Sequence, residues 1–275
     1  MIKIGIVGGS QAEIKDFVKQ AQKKYSNELE FHVYDTSPDI GTKDLWTYHH
    51  FNSPEEMALA AVKQAYDKKI DIIIKGIVST HTLLKAVLNK EYSLKEQKVL
   101  SHVAVMQLPD LEEKILLTDA AMNIAPTTEQ LVEITKNVMK VAINIGKKQP
   151  KIALLSSAEN YNPKMPSSVL AKEVTEHFSE DKQATVYGPL SLDLALSKHA
   201  VKSKRFNGPI AGDADVLVVP NIDVGNVLYK ALVLFGQATI GGMIVGTSVP
   251  IVLTSRSDST DSKLIGLGLA LDQVK

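Results

Sequence analysis

Ten short runs rich in valine, isoleucine and leucine recur along the chain, and stretches with helical periodicity separate most of them. The runs are KIGIVG, EFHVYDT, DIIIKGIV, HVAVMQL, KILLTDA, KIALLS, ATVYGPL, DVLVVP, ATIGGMIVG and PIVLTS. Helical patterns start near residues 11, 54, 80, 127, 166, 191, 224 and 259. Strands this continuously apolar are covered on both faces, and helices cover them in parallel sheets. The pattern therefore predicts a mainly parallel α/β fold. A length of 275 residues suits one large domain or two smaller ones. The helical pattern from Thr127 to Gly146 ends in GKKQP before KIALLS begins. A glycine stop, a polar turn and a proline there mark a domain crossing, so the expected architecture is two α/β domains with a cleft between them.

Several helix starts carry their own signal. Ser10-Gln-Ala-Glu13, Ser53-Pro-Glu-Glu56 and Thr127-Thr-Glu-Gln130 each fit a capping box, and Pro54 suits the first helical position. Residues Ala231 to Ser255 carry no charged side chain. A membrane helix would be long enough at that length, but Gly236, Gly241, Gly242, Gly246 and Pro250 divide it, which predicts buried strands and turns.

Composition removes several function classes. Thirty-one basic residues balance thirty-one acidic ones, so there is no positive field for a nucleic-acid backbone. No cysteine is present, which excludes disulfides, thiolate metal cages and a cysteine nucleophile, and fits a reducing cytoplasm. His49-His50 has no third ligand in helical register, so no metal site is expected. No G-x-S-x-G elbow and no glycine-lysine phosphate loop occurs.

Open α/β sheets bind ligands beyond the carboxyl ends of their strands, often at helix N-termini. Four such turns stand out. In IVGGSQAE, Glu13 would repel an anion, and a tight capped turn is the favoured explanation. In KGIVSTHTLLKAVL, Ser79 and Thr80 open a helix with no acid in its first turn, and Lys75 and Lys85 add positive charge. A plain hydroxyl cap with solvated lysines explains that turn equally well. In VVPNIDVGNVLYK, Gly225 permits a close backbone approach and Asn226 offers an amide, although turn chemistry alone accounts for both. The last turn, LTSRSDSTDSK, holds Arg256, one of only two arginines in the chain, delivered by the apolar run VPIVL. A guanidinium is a planar two-pronged partner for an oxyanion, and Ser255 beside it can donate a further hydrogen bond. Asp258 and Asp261 can act as a base or cap the helix that follows.

Taken in order, KGIVSTHTLLKAVL, LLTDAAMNIAPT, YGPLSLDLAL, DVLVVPNIDVGNVLYK and VLTSRSDSTDSKL resemble the phosphate acetyl/butyryltransferase family, with the butyryl branch closest. The likeness runs from about Asp71 to the C-terminus. It implies an isocitrate/isopropylmalate dehydrogenase-like fold in which domain two (129–251) is inserted into domain one (1–128 and 252–275). It also implies reversible short-chain acyl transfer between coenzyme A and inorganic phosphate as substrates, with no bound cofactor, in a homodimer without nucleic-acid or membrane partners. The family's Ser-Arg pair corresponds to Ser255 and Arg256, the serine stabilising the transition state and the arginine binding phosphate or coenzyme. The aspartate base of the acetyl-type members falls on Ser262, so the base is Asp261 or Asp258 or is absent. A further arginine of those enzymes is Lys85. A dehydrogenase on the same fold would need more arginines than two. A non-catalytic acyl-CoA or phosphate-binding protein is the remaining rival.

Overall fold

The computed structural model describes residues 1–9, 12–25, 28–38, 44–109, 111, 113–253 and 259–274. Two compact units divide the chain: Met1–Lys98 with Gly241–Lys275, and Val99–Ile240 inserted between them. The crossings at 99 and 241 precede the expected ones at 129 and 252. They also lie away from the GKKQP turn, although Gly146 does end its helix with φ +100°. Strand pairing explains the difference, because the runs before residue 129 pair with strands far along the insertion.

In chain order the first unit contains β1 (Ile2–Val7), α1 (Ala12–Tyr25), β2 (Leu29–Asp35), β3 (Thr47–His50), α2 (Pro54–Tyr66), β4 (Ile72–Lys75) and α3 (Thr80–Val87). The insertion contains β5 (Ser101–Gln107), β6 (Ile115–Thr118), α4 (Thr128–Asn144), β7 (Lys151–Leu155), α5 (Pro166–His177), β8 (Thr185–Leu190), α6 (Leu192–Leu196), α7 (Lys198–Lys204), β9 (Val216–Val218) and α8 (Ile222–Leu234). The chain returns through β10 (Thr239–Val245), β11 (Ile251–Leu253) and α9 (Thr260–Leu271). Among the described residues, no helix is long and apolar enough to cross a membrane, and the uncharged stretch from Ala231 supplies the end of α8 and two strands.

The strands of the first unit run in the order β3-β2-β1-β4-β11-β10, parallel except for the last pair. Those of the insertion run β5-β6-β9-β7-β8, antiparallel only between β5 and β6. The register Leu116↔Val216 joins β6 to β9 across the intervening chain and fixes the hairpin to the insertion. Central strands are the ones read most easily from sequence. Every residue of IIIK (β4), ILLT (β6) and VLV (β9) is buried.

Of the three expected capping boxes, two fall within the described residues and one of these is formed in full. Thr127 and Gln130 bond reciprocally, whereas Glu56 accepts from Asn52 N and leaves Ser53 to cap α2 alone. The Ser10 box lies outside the described residues. The β1 and β4 turns touch backbone to backbone. Gly8 has φ +82°, its carbonyl accepts from Ile77 N at 2.7 Å, and a Cβ on Gly76 would lie 2.0 Å from that oxygen. Both turns need glycine there.

Candidate active site

At the carboxyl edge of the first unit, β1, β4 and β11 end together. Val7 pairs with Lys75, and Ile74 pairs with Val252, so β11 stops one residue past that pair at Leu253. Ser255, Arg256 and Asp258 follow immediately and lie outside the described residues. Lys75 is buried at the end of β4, with Nζ donating to Gly76 O at 3.4 Å. Ser79 and Thr80 come next along the same edge. Ser79 Oγ accepts from Thr82 N (2.9 Å) and donates to Thr82 Oγ1 (2.8 Å), so the hydroxyl caps α3. No acid occupies the first turn of α3, and Thr80 is exposed. Lys85 is exposed in the last turn of α3, where its charge complements the C-terminal end of the helix dipole. It therefore stands apart from the helix start that it was expected to flank.

Asp261 is exposed in the first turn of α9. Ser259 caps that helix, accepting from Ser262 N at 3.1 Å, so a first-turn carboxylate has a favourable seat whatever its chemistry. α9 also buries Lys263, which the sequence reading did not single out. The signal was available: Lys263 shares a helical stripe with the buried Leu267 and Ala270, four and seven residues on. A buried ammonium at the end of β4, a helix N-terminus free of acids and the following Ser-Arg stretch make this an edge that favours an anion.

The carboxyl edge of the insertion is built differently. β6, β9 and β7 run parallel and end at Thr118, Val218 and Leu155. Asn221 caps α8 by accepting from Val224 N at 3.0 Å, and Gly225 lies against the turn after β6. A Cβ on Gly225 would sit 2.7 Å from Asp119 O, and the half-buried Asn226 donates from Nδ2 to Ala120 O at 3.4 Å. The expected close approach is thus to the protein's own backbone. Asp119 is 3% exposed; Oδ1 accepts from Ala121 N and Met122 N, both at 2.9 Å, and Oδ2 from Asn123 Nδ2 at 2.6 Å. His102, also missed from the sequence, is buried at the start of β5 with Nδ1 unpartnered. Burial pushes its basicity down, and the nearby Asp119 charge partly restores it.

His49 leads elsewhere. Its Nε2 meets His32 Nδ1 at 3.3 Å, and His32 Nε2 bonds Glu30 at 3.0 Å. Burial and the neighbouring His32 both lower the His49 pKa. Among the described residues, no group of three or more histidines or carboxylates is arranged to hold a metal.

With this geometry in place, the comparisons with known proteins assign the family. The phosphate acetyl/butaryl transferase family model matches residues 42–268. The chain is 44% identical over 224 residues to the probable phosphate butyryltransferase of Bacillus subtilis, covering 81% of this chain and 75% of that one. It is similar to the crystal structure of a branched-chain phosphotransacylase from Enterococcus faecalis V583, with a TM-score of 0.96, 56% identity and coverage of 100% and 99%. A 4-hydroxythreonine-4-phosphate dehydrogenase from Salmonella typhimurium, at 12% identity, TM-score 0.58 and coverage of 100% and 99%, shares the fold alone. The chain belongs to the phosphate acetyl/butyryltransferase family, a family of transferases, on a fold shared with that dehydrogenase.

Proposed function

We propose that the chain moves a short-chain acyl group, butyryl or similar, reversibly between coenzyme A and inorganic phosphate by direct attack in a ternary complex. The single observation that carries this reading is the family match over residues 42–268, which includes the Ser255–Arg256 stretch that follows β11. A phosphate oxygen attacks the thioester carbonyl, the new C–O bond forms, the C–S bond breaks, and coenzyme A leaves as a thiolate. Phosphate is strongly hydrated, so most of the task is to desolvate and aim it. Positioning supplies roughly 7–11 kcal/mol in favourable cases. Arg256 has that role, with Lys75 and the α3 start at Ser79 and Thr80 supporting the charge. Ser255 donates to the oxyanion of the tetrahedral intermediate, where one donor contributes about 3–4 kcal/mol. In the reverse direction the thiol, with a pKa of about 8.5, loses a proton, and Asp261 or Asp258 is the nearest carboxylate in sequence to accept it. Asn226 and Lys85 complete the proposed substrate contacts.

The enzyme acts as a homodimer in the cytoplasm, with no resident cofactor or metal. Support for the dimer comes from α8, an apolar helix in which only Gly225 is buried. Val227, Leu234 and Phe235 stand 68%, 72% and 85% exposed. Asp223 and Lys230, exposed two turns apart, would meet across a two-fold axis if α8 packed antiparallel on its copy. Charge reversal at either position should yield monomers by sedimentation, and reversal of both should restore dimers; dimers throughout would remove α8 from the interface.

Thiol release from acetyl-, propionyl- and butyryl-CoA, with and without phosphate, tests the reaction. Phosphate-dependent release with a butyryl optimum is expected. An acetyl optimum would reassign the chain to phosphate acetyltransferases, and no release would favour a non-catalytic binding protein.

A further inference from the structure

Helix α9 meets β10 with no side chain between them. A Cβ on Gly241 would stand 2.3 Å from Gly266 N and 2.5 Å from Ser262 O. Those two backbone atoms, four residues apart, close one turn of the helix. A Cβ on Gly266 would in turn meet Val252 Cγ1 at 3.0 Å and the N and O of Gly242 at 3.4 and 3.5 Å. Neither Gly241 nor Gly266 has a positive φ, so the contact uses the missing Cβ and not glycine's backbone freedom.

Helix stability does not call for these residues. Glycine weakens a helix interior, and α9 carries Gly266 and Gly268 within its twelve residues. Alanine would favour the helix more, so the glycines serve the close approach. What they fix is the height of α9 above β10. The end of β11 is set on the same strand: Gly242 pairs with Leu253 and Met243 with Val252. Leu253 ends β11 two residues before Ser255, and Ser259 opens α9. The strand that leads into Ser255-Arg256 and the helix that carries Asp261 are therefore both seated on the Gly241-Gly242 pair of β10.

Asp261 lies beside this contact in sequence. It precedes Ser262, whose carbonyl rests on Gly241, and it is exposed in the first turn of α9. Ser259 Oγ accepts from Ser262 N at 3.1 Å, so that turn is held by its cap and by the strand. Further along the helix, Tyr25 donates from its hydroxyl to Leu264 O at 3.0 Å.

We infer that Gly241 and Gly266 are positioning residues for the acyl transfer: they seat the first turns of α9 on β10 and so set where Asp261 stands to take the proton of the coenzyme thiol. The inference rests on the proposed reaction and on Asp261 as the proton acceptor.

The test follows thioester formation from butyryl phosphate and coenzyme A between about pH 7 and about pH 9.5, beside thermal midpoints. It compares wild type with Gly241→Ala, Asp261→Asn, their double variant and Tyr25→Phe. A thiol with a pKa of about 8.5 ionises unaided at the upper end, so a misplaced base matters only at the lower end. Gly241→Ala lifts α9 off the strand and should lower kcat about tenfold near pH 7, the deficit shrinking to about twofold by pH 9.5. Asp261→Asn should recover in the same way, and the double variant should be no slower than Asp261→Asn alone. Tyr25→Phe removes a hydrogen bond without adding an atom, so the midpoint should fall while kcat stays at the wild-type value at every pH. A Gly241→Ala deficit that is constant with pH, losses that multiply in the double variant, or an equal loss of kcat in Tyr25→Phe would overturn the inference. So would an Asp261→Asn enzyme that matches wild type throughout. No thioester from wild type would instead defeat the proposed reaction, and the positioning role would fall with it. If Gly241→Ala does not fold, Gly266→Ala takes its place, because its nearest contact is the end of a side chain. Adding Val252→Ala removes that contact, so the Gly266→Ala/Val252→Ala pair should regain kcat while its midpoint falls. A kcat that falls with the midpoint there would also overturn the inference.

Discussion

The carboxyl edges of the two units share a plan, parallel strands ending in turns that open helices, yet they use polar chemistry in opposite ways. On the first unit, Lys75 and Lys263 are buried cations, α3 begins without an acid, and the chain runs from β11 into Ser255-Arg256. On the insertion, the buried group at the end of β6 is an anion, Asp119, whose oxygens are taken up by its own turn. One edge buries two lysines and opens a helix without an acid. The other spends its hydrogen bonds on holding its own backbone still.

The largest effect expected from breaking this contrast is at Arg256. Arg256→Ala should lower kcat/KM by about 10²–10³-fold, in line with loss of a charged transition-state contact, while circular dichroism stays native. Near-normal turnover would remove the anion-binding role from the first edge. Next come two glycines. Gly76→Ala drives a methyl to within 2.0 Å of a backbone oxygen and should destabilise the first unit by about 3 kcal/mol or more. Gly225→Ala, at 2.7 Å, should cost less, about 1–3 kcal/mol, and should move Asn226 and hence turnover as well. Denaturant midpoints compare the two.

Lys75→Met and Asp119→Asn then sharpen the comparison directly. The first should raise the KM for phosphate by about tenfold with a smaller change in kcat, and the second should lower kcat while KM holds. An equal rise in KM for both would erase the distinction between the edges. The smallest effect concerns acid stability. Burial lowers the folded-state pKa of His102 and of His49, so the unfolded chain binds more protons below its own histidine value of about 6.5. That stability is complete above about pH 6.5 and is lost as pH falls through the depressed folded values. Thermal midpoints should therefore drop between pH 7.5 and pH 5.5, and His102→Leu should drop less. An identical drop would show that His102 does not titrate with unfolding.

Much of the fold was legible because its central strands are covered on both faces. IIIK and ILLT could be little else. The run TYHH of β3 was missed because it forms a half-exposed edge strand, paired among the described residues only with β2 and lacking apolar alternation. α7 was missed because it follows α6 directly, with Ser197 ending one helix and capping the next, and buries no residue. The unit crossings were misplaced for a different reason. A glycine stop ends a helix wherever it occurs, whereas unit membership depends on pairings such as Leu116↔Val216 that local signals do not carry. At the site, charge and turn chemistry pointed to Lys75, Ser79 and Asn226. The same local signals could not show that Ser79 is spent on a cap, that Lys85 sits at the far end of α3, or that Asp119 is taken up by its own turn.

The most direct trial of the proposed chemistry runs it backward. Butyryl phosphate and coenzyme A are varied together, and initial rates of thioester formation are recorded by absorbance. Direct transfer in a ternary complex predicts saturable thioester formation, stoichiometric release of phosphate and intersecting double-reciprocal lines. No thioester at any concentration would contradict the assigned reaction. Parallel lines would replace direct attack with a covalent acyl-enzyme.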